Sequence, residues 1–261
     1  MTALAAFEPI RRRKVYEQIT DQLERMIRAG AFSEGNELPS ERELMKRFEV
    51  GRPAIREAML ELQRSGLITL LNGRPARVTR PTMARMLERL SPAARMMLAE
   101  PGGMRDFQAA RRIFEIAIAR DVASRATETD IATLRAALDR NKAARGDAEA
   151  FKRSDLDFHH AIATIAGNPI LIALQQALDD WLLDQRTVSL RQPGAEPRTV
   201  AFHSRIFEAI AARDPDAAEA AMGEHLDDVA RLYWRELEGA ATRRAKPRRT
   251  RTKPNEAGRG R

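Results

Sequence analysis

Apolar positions recur at helical spacing along most of the chain, with one short stretch that reads as strands. Val15, Ile19, Leu23, Met26 and Ile27 form an i, i+3/4 face over about 15–29, and Gly30 is placed to cap its C-terminus. A second helix opens at Ser40-Glu41-Arg42-Glu43, a capping box in which the Ser40 hydroxyl accepts from the Glu43 N–H and the Glu43 carboxylate reaches back. It continues through Leu44, Met45 and Phe48 and is broken at Gly51. The next helix is predicted from about Pro53 to Ser65, with Ile55, Met59, Leu60 and Leu62 available for a core. Asn72-Gly73 then separates Ile68-Thr69-Leu70 from Ala76-Arg77-Val78, a two-residue hairpin signal because a type I′ turn needs φ > 0 at both positions. Helices followed by a hairpin are the outline of a winged helix-turn-helix.

Beyond it, residues 82–103 read as a linker punctuated by Pro81, Pro92 and Pro101. From Met104 every strong segment is helical. Phe107–Arg125 carries Ile113, Phe114, Ile116, Ile118 and Val122, and Thr127 with Asp130 caps a helix to about Ala144. Helices are expected at Ala150–Ala166, Ile170–Val188, about Thr199–Ala212 and Pro215–Glu238, the last with Asp214 as N-cap and Pro215 at N1. The predicted fold is mostly α: a flexible arm at 1–10, a winged helix-turn-helix at 11–81, the linker, an all-α antiparallel helical bundle at 104–239 and a basic tail at 240–261.

Composition narrows the class. The 261 residues are 43% hydrophobic, enough for two cores, and contain no cysteine, which excludes disulfides and thiolate metal sites. No apolar run approaches a membrane span and no signal-peptide core opens the chain, so a soluble, cytoplasmic protein is expected. The net charge of +8 is unevenly placed. Lys+Arg against Asp+Glu is 15 to 11 in residues 1–81, 21 to 25 in 82–242 and 9 to 1 in 243–261. The tail thus equals the whole excess. Its proline, glycine and crowded like charges predict disorder, either as a solubility tail or as an aid to phosphate binding by counterion release.

The arginines sit where DNA recognition needs them. Arg52 and Arg56 open the second helix of the helix-turn-helix, the end that meets base edges in a major groove. Arg42 lies near the start of the preceding helix, and Arg74, Arg77 and Arg80 decorate the hairpin. In order and spacing, LPSEREL, VGRPAIREA and NGRPARV resemble the GntR family of bacterial transcription regulators. That resemblance implies double-stranded operator DNA as partner, contacts from Arg42, Arg52 and Arg56, and close backbone approach at Gly51 and Gly73.

All four histidines lie in the helical half. Asp155 and His159, at i and i+4, project from one helix face, while His203 and His225 fall on two later helices. A carboxylate and three imidazoles from three helices would make a bundle-core metal site; the alternative is unrelated surface or capping histidines. His160 points about 100° from His159 and is the expected non-ligand. The segments ARRIFEIAIARDVA, SDLDFHHAIATIAGN and FHSRIFEAIAARDPDAAEAAMGEHL resemble the FCD effector domain of the FadR subfamily. The resemblance implies a divalent metal on Asp155, His159, His203 and His225, with Zn²⁺ the first choice and Ni²⁺, Mn²⁺ or Fe²⁺ also suited.

The same resemblance implies a small carboxylate effector over the metal, oriented by a guanidinium. Arg111 matches the ligand-facing arginine, and Arg186 and Asn168 are further candidates. The bland alternatives are an exposed helix end for Arg186 and a helix C-cap for Asn168. Similarity over about 11–238 to the subfamily's regulators of sialic acid operons points to N-acetylneuraminate, against a hexuronate or small organic acid. A ligand-responsive repressor acting as a homodimer is therefore expected. An enzyme is not, since no HExxH, G-x-S-x-G or cysteine nucleophile stands in the chain.

Overall fold

The computed structural model describes residues 13–71 and 74–245, with side chains to residue 239. Gly73 among the expected DNA contacts, the turn partner Asn72, the arm at 1–10 and most of the basic tail lie outside the described residues. The chain divides into two compact units, Met1–Leu90 and Ser91–Arg261.

The first unit begins with α1 (Val15–Arg28), α2 (Glu41–Phe48) and α3 (Arg52–Arg64). β1 (Ile68–Leu71) and β2 (Arg74–Val78) then pair antiparallel, with Ile68 opposite Val78 and Leu71 opposite Arg74. The capping box forms as the sequence predicts: the Glu43 N–H donates to Ser40 Oγ, and the Glu43 carboxylate accepts from the Ser40 N–H at 2.9 Å. The left-handed residue that ends α2 is Glu49 (φ 54°), whereas Gly51 is extended at the N-cap of α3. A Cβ on Gly51 would meet nothing closer than Pro53 Cδ at 3.6 Å, so the fold does not demand the glycine. Ile19, Leu23, Leu44, Ile55, Met59, Leu62 and Val78 fill the core. Leu60 and Val15 do not join it and are exposed. Leu60 lies about 140° round the helix from Ile55, on the opposite side of the buried stripe.

The linker is helical for most of its length, as α4 (Met83–Ala99). Pro92 lies inside it and forfeits one main-chain hydrogen bond, offset by neighbours that are good helix formers. The second unit contains α5 (Gly103–Arg125), α6 (Glu128–Ala143), α7 (Ala148–Ile165), α8 (Pro169–Trp181), α9 (Leu183–Leu190), α10 (Ala195–Ala211) and α11 (Pro215–Ala245). Three differences from the sequence reading matter. The expected helix from Ile170 to Val188 is two helices, because Leu182 (φ −100°, ψ 15°) leaves the helical region. α11 runs on to Ala245, past the expected end at Glu238. Ile113 is 72% exposed, since α5 buries Arg111, Glu115, Ile118 and Val122 instead. The core of this unit joins Ile118, Val122, Leu134, Leu138, Phe158, Ile162, Ile206, Phe207 and Met222.

Candidate metal centre and DNA-reading face

One face of the first unit gathers the expected DNA contacts. Arg42 and Arg52 are exposed at the starts of α2 and α3, and Arg74 starts β2. All three line one groove of about 480 Å³, with Ser40 and Leu71 beside them. Arg52 pairs with Glu41 at 3.3 Å, a surface contact worth little and readily exchanged for a phosphate. Arg56 is exposed on α3, and Arg77 lies on β2 within 3.7 Å of Glu37. Short backbone bonds from residues 35–38 to β2 brace the wing from behind: the Leu38 N–H donates to the Ala76 carbonyl and the Val78 N–H to the Asn36 carbonyl, both at 2.8 Å.

In the second unit, α7 supplies Asp155 and His159 from one face, α10 supplies His203 and α11 supplies His225. All four are buried, and one ligand atom from each lies within 4.8 Å of the others. That span is wider than the ~3.4 Å between tetrahedral ligands each about 2.1 Å from one ion, so the side chains would draw inward around a bound metal. His160 stays outside the group, as its direction on the helix predicts.

The hydrogen bonds around the rings suit a cation. The Ser154 hydroxyl donates to the Phe151 carbonyl, and Asn141 Nδ2 donates to Ser154 Oγ. Asn141 Oδ1 therefore accepts from His203 Nδ1 at 2.9 Å. The proton is thus on Nδ1, and the lone pair on His203 Nε2 points inward without a hydrogen-bond partner, 3.5 Å from Asp155 Oδ1. Two acceptors facing each other in a dry interior is the arrangement that a cation relieves. His203 also stacks on Phe158, with centroids 4.1 Å apart, which fixes its ring plane. On the far side His159 Nε2 faces His225 Nε2 at 3.2 Å. His159 Nδ1 lies 2.6 Å from Glu115 Oε2, close but bent from a straight hydrogen bond.

Burial, reinforced by neighbouring His159, holds the His203 imidazole well below its ordinary pKa. Burial, with His203 and His159 beside it, does the same to His225. Both rings are therefore neutral near pH 7, the form that binds metals.

A charged network surrounds the cluster. Arg186 on α9 donates through Nη1 to Asp155 Oδ2 at 2.5 Å and through Nη2 to Asp179 Oδ1 at 2.9 Å. Arg111 Nε donates to Glu115 Oε1 at 2.6 Å, and Gln175 Nε2 donates to Asp179 Oδ1 at 3.1 Å. Burial alone would raise Glu115, but Arg111 and His159 hold it well below the carboxylate range. Burial pushes Asp179 up, against the pull of Arg186. Arg111, Asp155, Arg186, Ser189, Thr199 and His225 wall a void of only about 10 Å³, room for about one water.

Of the expected effector residues, Arg111 and Arg186 converge on this void and Asn168 does not. Asn168 is exposed and caps the N-terminus of α8, its Oδ1 accepting from the Ile170 N–H at 2.9 Å. Arg186 is no exposed helix end: the break at Leu182 lets α9 carry it inward. Glu115, Gln175, Asp179 and Asn141 were not singled out by the sequence reading. Only Glu115 had a visible signal, its i+4 spacing from Arg111.

Residues 15–78 match the family of bacterial regulatory proteins designated gntR, and residues 106–228 match the FCD domain. The chain is 44% identical over 231 residues to the HTH-type transcriptional repressor NanR of Klebsiella aerogenes, covering 88% of each. It is 42% identical over 240 residues to the NanR repressor of Citrobacter rodentium, covering 91% of this chain and 92% of that one. Streptococcus agalactiae GntR shares the fold with a TM-score of 0.57 at 24% identity, over 83% of this chain and 99% of that one.

Proposed function

The chain belongs to the GntR family of bacterial regulatory proteins, and from that premise we propose that it is a cytoplasmic, metal-dependent transcriptional repressor released or remodelled by a sugar acid. As a ligand-responsive DNA-binding regulator it stands with its relatives, which are repressors and not enzymes. The finer reading concerns the pocket. Asp155, His159, His203 and His225 would hold a divalent ion, Zn²⁺ first, and that ion supplies a Lewis-acidic position for an effector oxygen.

The observation that carries the effector class is the buried charge. Arg111 and Arg186 set two guanidiniums against the carboxylates of Glu115, Asp155 and Asp179, leaving one net negative charge with all five ionised. A divalent cation turns that into one net positive charge, which a single carboxylate neutralises. Uncompensated charge in a dry interior is costly, so the loaded pocket favours a monoanion and the metal-free pocket disfavours one. Arg111 and Arg186 are placed to orient such a carboxylate. N-acetylneuraminate is the effector we assign, on the similarity to sialic acid operon regulators. The ~10 Å³ void means that a sugar acid enters only if the surrounding side chains move. The homodimer belongs to the same reading, with two winged helices on a repeated half-site.

The test is calorimetric titration of N-acetylneuraminate into metal-loaded protein, with chelated protein and Arg111→Ala as controls. Saturable binding in the loaded protein, abolished by chelation and weakened by the substitution, is expected. With metal confirmed present, absence of binding would overturn the sialic acid assignment and direct screening to hexuronates and small organic acids.

A further inference from the structure

A buried carboxylate sits between a candidate metal ligand and a candidate effector residue without belonging to either group. Glu115 is 2% exposed. One oxygen accepts from Arg111 Nε, and the other lies 2.6 Å from His159 Nδ1. Arg111 and Glu115 are i and i+4 on α5, so the helix sets their spacing, while His159 arrives from α7. Gln175 Nε2 adds a long contact to Glu115 Oε1 at 3.4 Å.

We propose that Glu115 is a positioning residue for the metal: it keeps the proton of His159 on Nδ1, aims Nε2 at the cluster, and is itself held by Arg111. The inference rests on the metal reading above. A carboxylate against the remote nitrogen of a metal-binding histidine fixes the tautomer and ring orientation and makes the ligand nitrogen more basic. His203 receives the corresponding support from Asn141 Oδ1, a neutral acceptor. His225 Nδ1 has no hydrogen-bond partner. The His159 Nδ1–Glu115 approach is itself bent from a straight hydrogen bond, so what sets Glu115 apart is proximity and charge: it is the one carboxylate within 4 Å of a ring nitrogen turned away from the cluster, among the described residues. Arg111 consequently has two duties, because the guanidinium that would meet an effector already donates its Nε–H to Glu115.

The measurement is Co²⁺ affinity by competition with a chromophoric chelator, with no effector present. Wild-type protein is compared with Glu115→Gln and with the double variant Arg111→Met/Glu115→Gln. Loss of the orienting carboxylate is expected to weaken Co²⁺ binding about 10–100-fold in both variants, with altered visible Co²⁺ bands. The double variant removes both charges together and leaves no unpaired guanidinium, so it guards against simple misfolding. Wild-type affinity in Glu115→Gln, or its recovery in the double variant, would overturn the proposal by making Glu115 only the counter-ion of Arg111. Wild-type protein that takes up neither Co²⁺ nor Zn²⁺ would overturn the metal reading, and this assignment with it.

Discussion

His203 and His225 are buried among groups that leave no room for a charged imidazole. The folded pKa of each lies well below the ordinary 6.5, first because burial penalises the cation and then because neighbouring imidazoles repel it. Below about pH 6.5 the unfolded chain therefore binds protons that the folded chain does not, and stability falls as pH falls. Glu115 acts in the same direction at lower pH: its depressed folded pKa adds stability above the ordinary 4.5, lost as pH drops towards the folded value. In the presence of chelator, the melting temperature is expected to be flat above about pH 7 and to fall steadily from about pH 6.5 to 5. Thermal unfolding across pH 5–8 checks this, and a flat profile would show that the rings take up protons in the fold as readily as in the unfolded chain. Saturating metal should raise the curve most at neutral pH, because the ion binds only deprotonated ligands.

At the scale of elements, legibility in the sequence followed the range of the interaction. The Ser40–Glu43 cap and the shared face of Asp155 and His159 are set within four residues, and both were legible. The meeting of α7 with α10 and α11 is not local, so residue spacing alone does not specify the cluster. The break at Leu182 was missed because neither glycine nor proline marks it, and the run Asp180-Trp181-Leu182-Leu183 has ordinary helical composition. The burial of Arg186 depends on that same unmarked break. Ile113 misled for another reason: α5 turns polar Arg111 and Glu115 inward, so an apolar residue between them falls outside. The same break makes a dynamic prediction. α9 is only eight residues long, yet it holds Arg186 and Ser189 against a void too small for a sugar acid. If ligand access requires α9 to shift, amide exchange over Leu183–Leu190 should be faster than over the middle of α7 and should slow when effector binds. Protection in α9 equal to that of α7, and unchanged by effector, would place the opening elsewhere.

Across the whole molecule, charge and sequence reading are separable. The winged-helix half carries a modest excess of basic residues, whereas residues 246–261 hold seven basic residues against one acidic. Charge that meets only phosphates adds affinity to every DNA alike and is released by salt, whereas a side chain at base edges changes the ranking of sequences. Arg52, at the first position of α3 and lining the groove with Arg42 and Arg74, is placed for the second role. Truncation after Ala245 should therefore flatten the dependence of log affinity on log salt while preserving preference for operator over random duplex. Arg52→Ala should do the converse, costing roughly 1–3 kcal/mol on operator and far less on random DNA. Both follow from one experiment, fluorescence anisotropy of operator and scrambled duplexes between about 50 and 200 mM salt. Loss of all binding on truncation, with Arg52→Ala unchanged in preference, would make the basic tail the DNA-binding element and leave the winged helix without its role as reader.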